Sequence, residues 1–134
     1  MGSSRAAGQR PERRQFPRSS RIHLESEIHG LLREGSRARS HCLDVFTAPS
    51  SVDTPRFGAI VPLFGRNVVS RNQLRRRLRE IGRIEVLPRL VGRDCNVDVL
   101  VRSRPRAYEL RFGELRTDLL RLTERLCFDV SFSG

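Results

Sequence analysis

The stretch SRNQLRRRLRE at residues 70–80 places five arginines in eleven positions, with one acidic residue, Glu80, at its end. A charge run of this kind is ordinarily a solvated helix face or a basic tail. Here it also carries an apolar stripe. Val68, Leu74, Leu78 and Ile81 recur at helical spacing and predict a helix over about 67–82. A helix with such a stripe must dock on a core, so the rest of the chain has to fold beneath it. Arg71, Arg75 and Arg79 form a second stripe at i, i+4 and i+8, with Asn72, Arg76 and Arg83 beside it. Acidic i+4 partners are nearly absent between 66 and 79, so the arginines repel one another rather than pair. A docked helix displays its guanidinium forks about 6 Å apart per turn, near the spacing of successive phosphates along a strand.

Overall charge points the same way. The chain has 26 basic residues against 15 acidic ones, a net +11, and every basic residue is arginine. Guanidinium groups pair bidentately with phosphate and stack on bases, so nucleic acid is the first partner such a chain suggests. Its 134 residues amount to one domain. No apolar run approaches the ~20 residues that span a bilayer, so no membrane partner is expected. Three cysteines without a secretory h-region read as reduced thiols in a cytoplasmic protein.

Along the chain, residues 1–21 mix Gly, Ser, Pro and Arg without apolar periodicity and read as a flexible basic arm. IHLESEIHGLLRE at 22–34 is a short amphipathic helix stopped by Gly35. SHCLDVFT at 40–47 reads as a strand, APSSVDTP at 48–55 as a loop, and RFGAIVPLF at 56–64 as a second, buried strand in which Pro62 marks the end or an edge. CNVDVLVR at 95–102 alternates Cys95, Val97, Val99 and Val101 on one face, which predicts a third strand with Asp98 on its solvent side. FGELRTDLLRLTERL at 112–126 is a further helix, with Phe112, Leu115, Leu119, Leu122 and Leu126 as its stripe. Phe57 and Phe112 are expected in the core. Residues 127–134 form a tail that either adds a short strand or frays. Strands alternating with helices suggest a small α/β sandwich.

The segment RFGAIVPLFGRNVVSRNQLRRRLREIGR resembles the signature region of the protein subunit of bacterial ribonuclease P. In that family a strand R-x-G-x-x-V-S-K-K leads into G-N-A-V-x-R-N-R-x-K-R-x-x-R-E. Arg56, Gly58 and Val61 match the strand. Asn67, Val69, Arg71, Asn72, Arg75, Arg76, Arg79 and Glu80 match the helix, Arg75 standing for the family's lysine. The likeness covers roughly 20–126. Pro62, Leu63 and Phe64 replace S-K-K, Arg66 stands at the family's glycine, and Gln73 ends the R-N-R trio. Two aromatic positions on the first helix align with Ile28 and Leu32, while a third, on the first strand, keeps its aromatic as Phe46.

This resemblance implies an α+β domain over 22–126: a two-layer, ribosomal-protein-like sandwich. Its mixed sheet has about four strands, with three helices and a left-handed β-α-β crossover through the arginine helix. It implies that Arg56, Arg66, Asn67, Arg71, Asn72, Arg75, Arg76, Arg79 and Arg83 contact a catalytic RNA subunit. Ile28, Leu32 and Phe46 would line a cleft for the 5′ leader of precursor tRNA. The RNA would remove that leader with Mg²⁺ held through the RNA, in a 1:1 complex with a monomeric protein that is not catalytic alone. The alternative is a structural RNA-binding protein of another, ribosome-associated assembly, with no role in cleavage. The residues themselves speak against a stand-alone nuclease. Asp44, Asp94, Asp98 and Asp118 are scattered, and His23, His29, His41 and Cys42 have no metal-ligand or nucleophile–base spacing.

Overall fold

The structure is a computed structural model that describes residues 18–127. Helix α1 (Glu25–Glu34) opens with Glu25 and Glu27 in its first turn, where acids favour the helix dipole. It closes at Gly35, whose N–H donates to the Leu31 carbonyl. A Cβ on Gly35 would lie 2.7 Å from that carbonyl oxygen, so only glycine turns the chain here. Then come β1 (Ser36–Arg39), β2 (Leu43–Pro49) and β3 (Arg56–Ile60). Helix α2 (Val68–Ile81) follows and runs through a π-helical turn, Gly82–Val86, into α3 (Leu87–Gly92). Strand β4 (Val97–Ser103), a 3-10 turn at Pro105–Glu109 and helix α4 (Phe112–Cys127) complete the domain.

The strands form one mixed sheet in the order β1-β2-β4-β3. β1–β2 and β2–β4 are antiparallel, while β3 and β4 are parallel and joined through α2. Strand alternation gives the sheet two apolar faces. Ala38, Leu43, Val45, Phe57, Val99 and Val101 lie beneath α2, α3 and α4, where Leu74, Leu78, Leu90, Leu115, Leu119 and Leu122 complete the main core. On the opposite face Phe46 and Leu100 meet Ile22 and Leu31, so α1 covers a smaller second cluster.

One close approach fixes the path of the arginine helix. A Cβ on Gly82 would fall 2.4 Å from the Phe57 ring, so α2 can cross β3 at this depth only with glycine there.

The helix expected over 67–82 is α2, and its stripe is Leu74, Leu78 and Ile81; Val68 faces outward. Phe112, expected in the core, is also exposed, at the first residue of α4, one turn ahead of the buried Leu115. Strand β1 and the helical continuation through 82–92 have no counterpart in the sequence reading. Asp98 is the clearest departure. In place of the expected solvent face, it is only 6% exposed and ion-paired to Arg56 beneath α1. At the N-terminal boundary, Arg18–Ser20 form a 3-10 turn and Arg21 bridges Phe57, so the last residues assigned to the arm take part in the fold. The readings of residues 1–17 and 128–134 lie outside the described residues.

Candidate nucleic-acid interface

Asn67 sets the start of α2. Its side-chain oxygen accepts the Ser70 N–H at 2.7 Å, satisfying one of the donors that a helix start leaves open. From this cap the apolar stripe turns inward and the arginines turn out. Asn72, Arg75, Arg76, Arg79 and Arg83 line an open cavity of about 410 Å³, joined by Glu80 and by Arg21 from the segment before α1. Five guanidinium groups thus face one carboxylate. Asn72 accepts from Arg75 at 3.2 Å and orients it, and Arg83 pairs with Glu80 at 2.9 Å.

The crowding registers on Arg79. Its own burial, then repulsion from Arg75 and Arg21, lowers it from the ordinary guanidinium value. Arg71 lies on the same stripe, and its buried Nε meets no acceptor among the described residues. Elsewhere several arginines are paired: Arg39 and Arg102 with Asp44, Arg89 and Arg116 with Glu85, Arg121 with Asp118. No described acid lies within ion-pair distance of Arg71, Arg75, Arg76 or Arg79. An acceptor from outside the chain would supply what this face lacks.

Of the other residues expected here, Arg66 stands apart from the cavity. Its guanidinium lies over the Tyr108 ring, 4.9 Å from the centroid, and 3.7 Å from Glu109. Arg56 is buried. Its Nε and Nη2 clasp both oxygens of Asp98 at 3.0 and 2.8 Å, and Nη2 also meets Glu27 at 3.1 Å. These carboxylates hold its proton more tightly than usual, mainly through the Asp98 hydrogen bonds. Arg56 therefore ties α1 to β3 and β4 from within.

Ile28, Leu32 and Phe46 do come together, in the cluster between α1 and the sheet. Phe46, however, is only 2% exposed. The guanidinium groups of Arg37 and Arg102 lie 5.9 and 5.4 Å from its centroid. What this face presents outward is two cations over a sunken ring. Sequence reasoning missed Arg21, Arg37 and Arg102. Alternation in SRAR was the available signal for Arg37, and the position of Arg102 after Val101 the signal for it; nothing local marked Arg21.

Fold and face together define a small α+β protein that gathers arginines along one face of a helix. The pattern of the Ribonuclease P family matches residues 16–127. The chain is 34% identical over 118 residues to the ribonuclease P protein component of Acidothermus cellulolyticus, covering 83% of this chain and 91% of that one. It is 36% identical over 113 residues to that of Micrococcus luteus, covering 77% and 84%. The solved RNase P protein from Thermotoga maritima superposes with a TM-score of 0.65 at 26% identity, over 78% of this chain and 96% of that one. The chain belongs to the family of ribonuclease P protein components.

Proposed function

We propose that this protein binds the catalytic RNA subunit of ribonuclease P through the arginine face of α2 and helps that RNA remove the 5′ leader of precursor tRNA. The observation that carries the reading is the cavity that gathers Arg21, Arg75, Arg76, Arg79 and Arg83 around one carboxylate on a docked helix, in a chain of this family. Backbone phosphates supply the missing anions, and the helix fixes the spacing at which they are met. Arg37 and Arg102, above Phe46 and beside Ile28 and Leu32, form the second contact, guiding the leader by charge rather than by stacking on a buried ring.

Chemistry stays with the RNA. The Mg²⁺ that hydrolysis calls for fits RNA ligands, and the protein's share is binding and placement.

Cleavage of precursor tRNA at low Mg²⁺ tests the reading, with the protein alone, the RNA subunit alone, and both. Stimulation only in the mixture supports it. Binding without stimulation leaves a structural RNA-binding protein, and activity of the protein alone would overturn the division of labour. If six to ten phosphates are neutralised, affinity falls about 10³- to 10⁵-fold between 50 and 200 mM salt. Arg71→Ala combined with Arg75→Ala weakens RNA binding and leaves the fold intact; unchanged affinity would remove this face from the account.

A further inference from the structure

The turn between β3 and α2 holds an aromatic side chain that the phosphate-binding face does not use. The Arg66 N–H donates to the Leu63 carbonyl at 2.8 Å, closing a four-residue turn around Phe64 and Gly65. Both central residues are left-handed, with φ 48° at Phe64 and 82° at Gly65. Such turns favour Asn and Gly at these positions. Gly65 adopts the conformation freely, whereas a bulky residue adopts it at a cost. Burial does not repay that cost, since Phe64 is 47% exposed, and Leu63, Val68 and Val69 are exposed near it in the chain.

The turn is also braced. The Tyr108 hydroxyl donates to the Pro62 carbonyl at 2.7 Å, Arg66 lies over the Tyr108 ring, and Asn67 caps α2 immediately afterwards. Strained, outward side chains on fixed turns cluster at binding sites.

Charge decides what covers it. No acid occurs from 62 to 79, and the segment across the turn sets Arg104, Arg106 and Arg111 against Glu109. A second copy of this chain would bring the same positive field. An unpaired nucleotide brings a π face for Phe64 and a phosphate for the neighbouring guanidinium groups. The turn runs directly into the arginine helix, whereas Ile28, Leu32 and Phe46 lie across the sheet beneath α1.

We infer that Phe64 is a stacking platform for an unpaired base of the RNA subunit, at the N-terminal entrance to the arginine face. The inference rests on the RNA-binding reading above and adds to it a site where the chain departs from the family's S-K-K.

The protein contains no tryptophan, so Phe64→Trp introduces, where the base would stack, a single indole that is excited selectively apart from Tyr108. With the full-length protein and the RNA subunit alone, Phe64→Ala weakens binding about 5- to 100-fold and leaves the salt dependence unchanged, because no phosphate contact is lost. Phe64→Trp restores affinity, and its emission is quenched by added RNA. Urea midpoints of both variants stay near that of the unmodified protein, since the ring is exposed. An affinity of Phe64→Ala within twofold of the unmodified protein overturns the platform, as does emission of the Phe64→Trp variant that is unchanged at saturation. A loss seen only after precursor tRNA is added overturns the assignment to the RNA subunit. If the unmodified protein fails to bind that RNA, the functional reading falls as well. Normal binding with an unaffected Phe64→Ala removes the platform alone.

Discussion

Removing Arg56 separates a structural role from an RNA contact. Arg56 and Asp98 are each 6% exposed, and their side chains meet through two hydrogen bonds of 2.8 and 3.0 Å. At an effective dielectric of about 20, their attraction is on the order of 6 kcal/mol gross, much of it offset by the desolvation of both ions. Breaking the pair leaves the survivor buried and alone. Arg56→Ala should therefore cost about 3–5 kcal/mol. Asp98→Ala should cost roughly half as much, because Arg56 keeps Glu27 at 3.1 Å. Glu27 is partly open to solvent, so Glu27→Ala should cost about 1 kcal/mol or less. Urea midpoints at pH 7 give this ranking. Replacing both partners with apolar residues, Arg56→Met with Asp98→Leu, should recover most of the stability. It should also preserve affinity for the RNA subunit. A cost for Arg56→Ala under about 1 kcal/mol would refute the buried-pair argument. A tenfold loss of RNA affinity in the stable double variant would return Arg56 to the interface.

Gly82→Ala forces a methyl into the Phe57 ring and should cost about 1–3 kcal/mol of unfolding free energy, with weaker RNA binding as α2 shifts. Phe64→Gly relieves the left-handed backbone and should raise stability in urea by up to about 1 kcal/mol while lowering RNA affinity. Burial acts to raise the Asp44 carboxyl, but hydrogen bonds and charge from Arg39 and Arg102 prevail and hold it below its usual range. The folded state then binds that proton less tightly than the unfolded chain. Its stabilising contribution is complete above about pH 4, the unfolded value, and is lost as pH falls through the folded one. Asp44→Asn should flatten this acid limb of a stability–pH profile. Burial, with Cys95 alongside, pushes the Cys127 thiol up to about 12. At pH 8 its alkylation in the native protein should run roughly a thousandfold slower than that of a free thiol, with ordinary reactivity in urea.

Where one stretch of chain carried both halves of a pattern, the sequence was enough. The stripes of α2 and α4 and the alternation of β4 each identify an element, because burial repeats within it. β1 carries one apolar residue, Ala38, in SRAR and is held by pairing with β2 and packing under α4, neither of which leaves a local trace. Gly82 and Pro88 hid the continuation of α2. The glycine answers to Phe57, and the proline sits in the first turn of α3, immediately after the π-helical turn. The same distinction holds for the site. Arg75, Arg76 and Arg79 were legible as a stripe. Arg21 joins them only because it bridges Phe57, and Arg56 leaves the surface only because a carboxylate 42 residues away waits beneath α1.

β1 has a consequence for the company this protein keeps. Among the described residues it ends the sheet, and a strand at a sheet's end offers unpaired N–H and C=O groups on which another chain can add. Here that edge is four residues long, and Arg37 and Arg39 are two of them. An identical edge approaching it would meet its own charge before its hydrogen bonds could form. The cations that lean over Phe46 and Asp44 therefore also mark where the sheet stops growing.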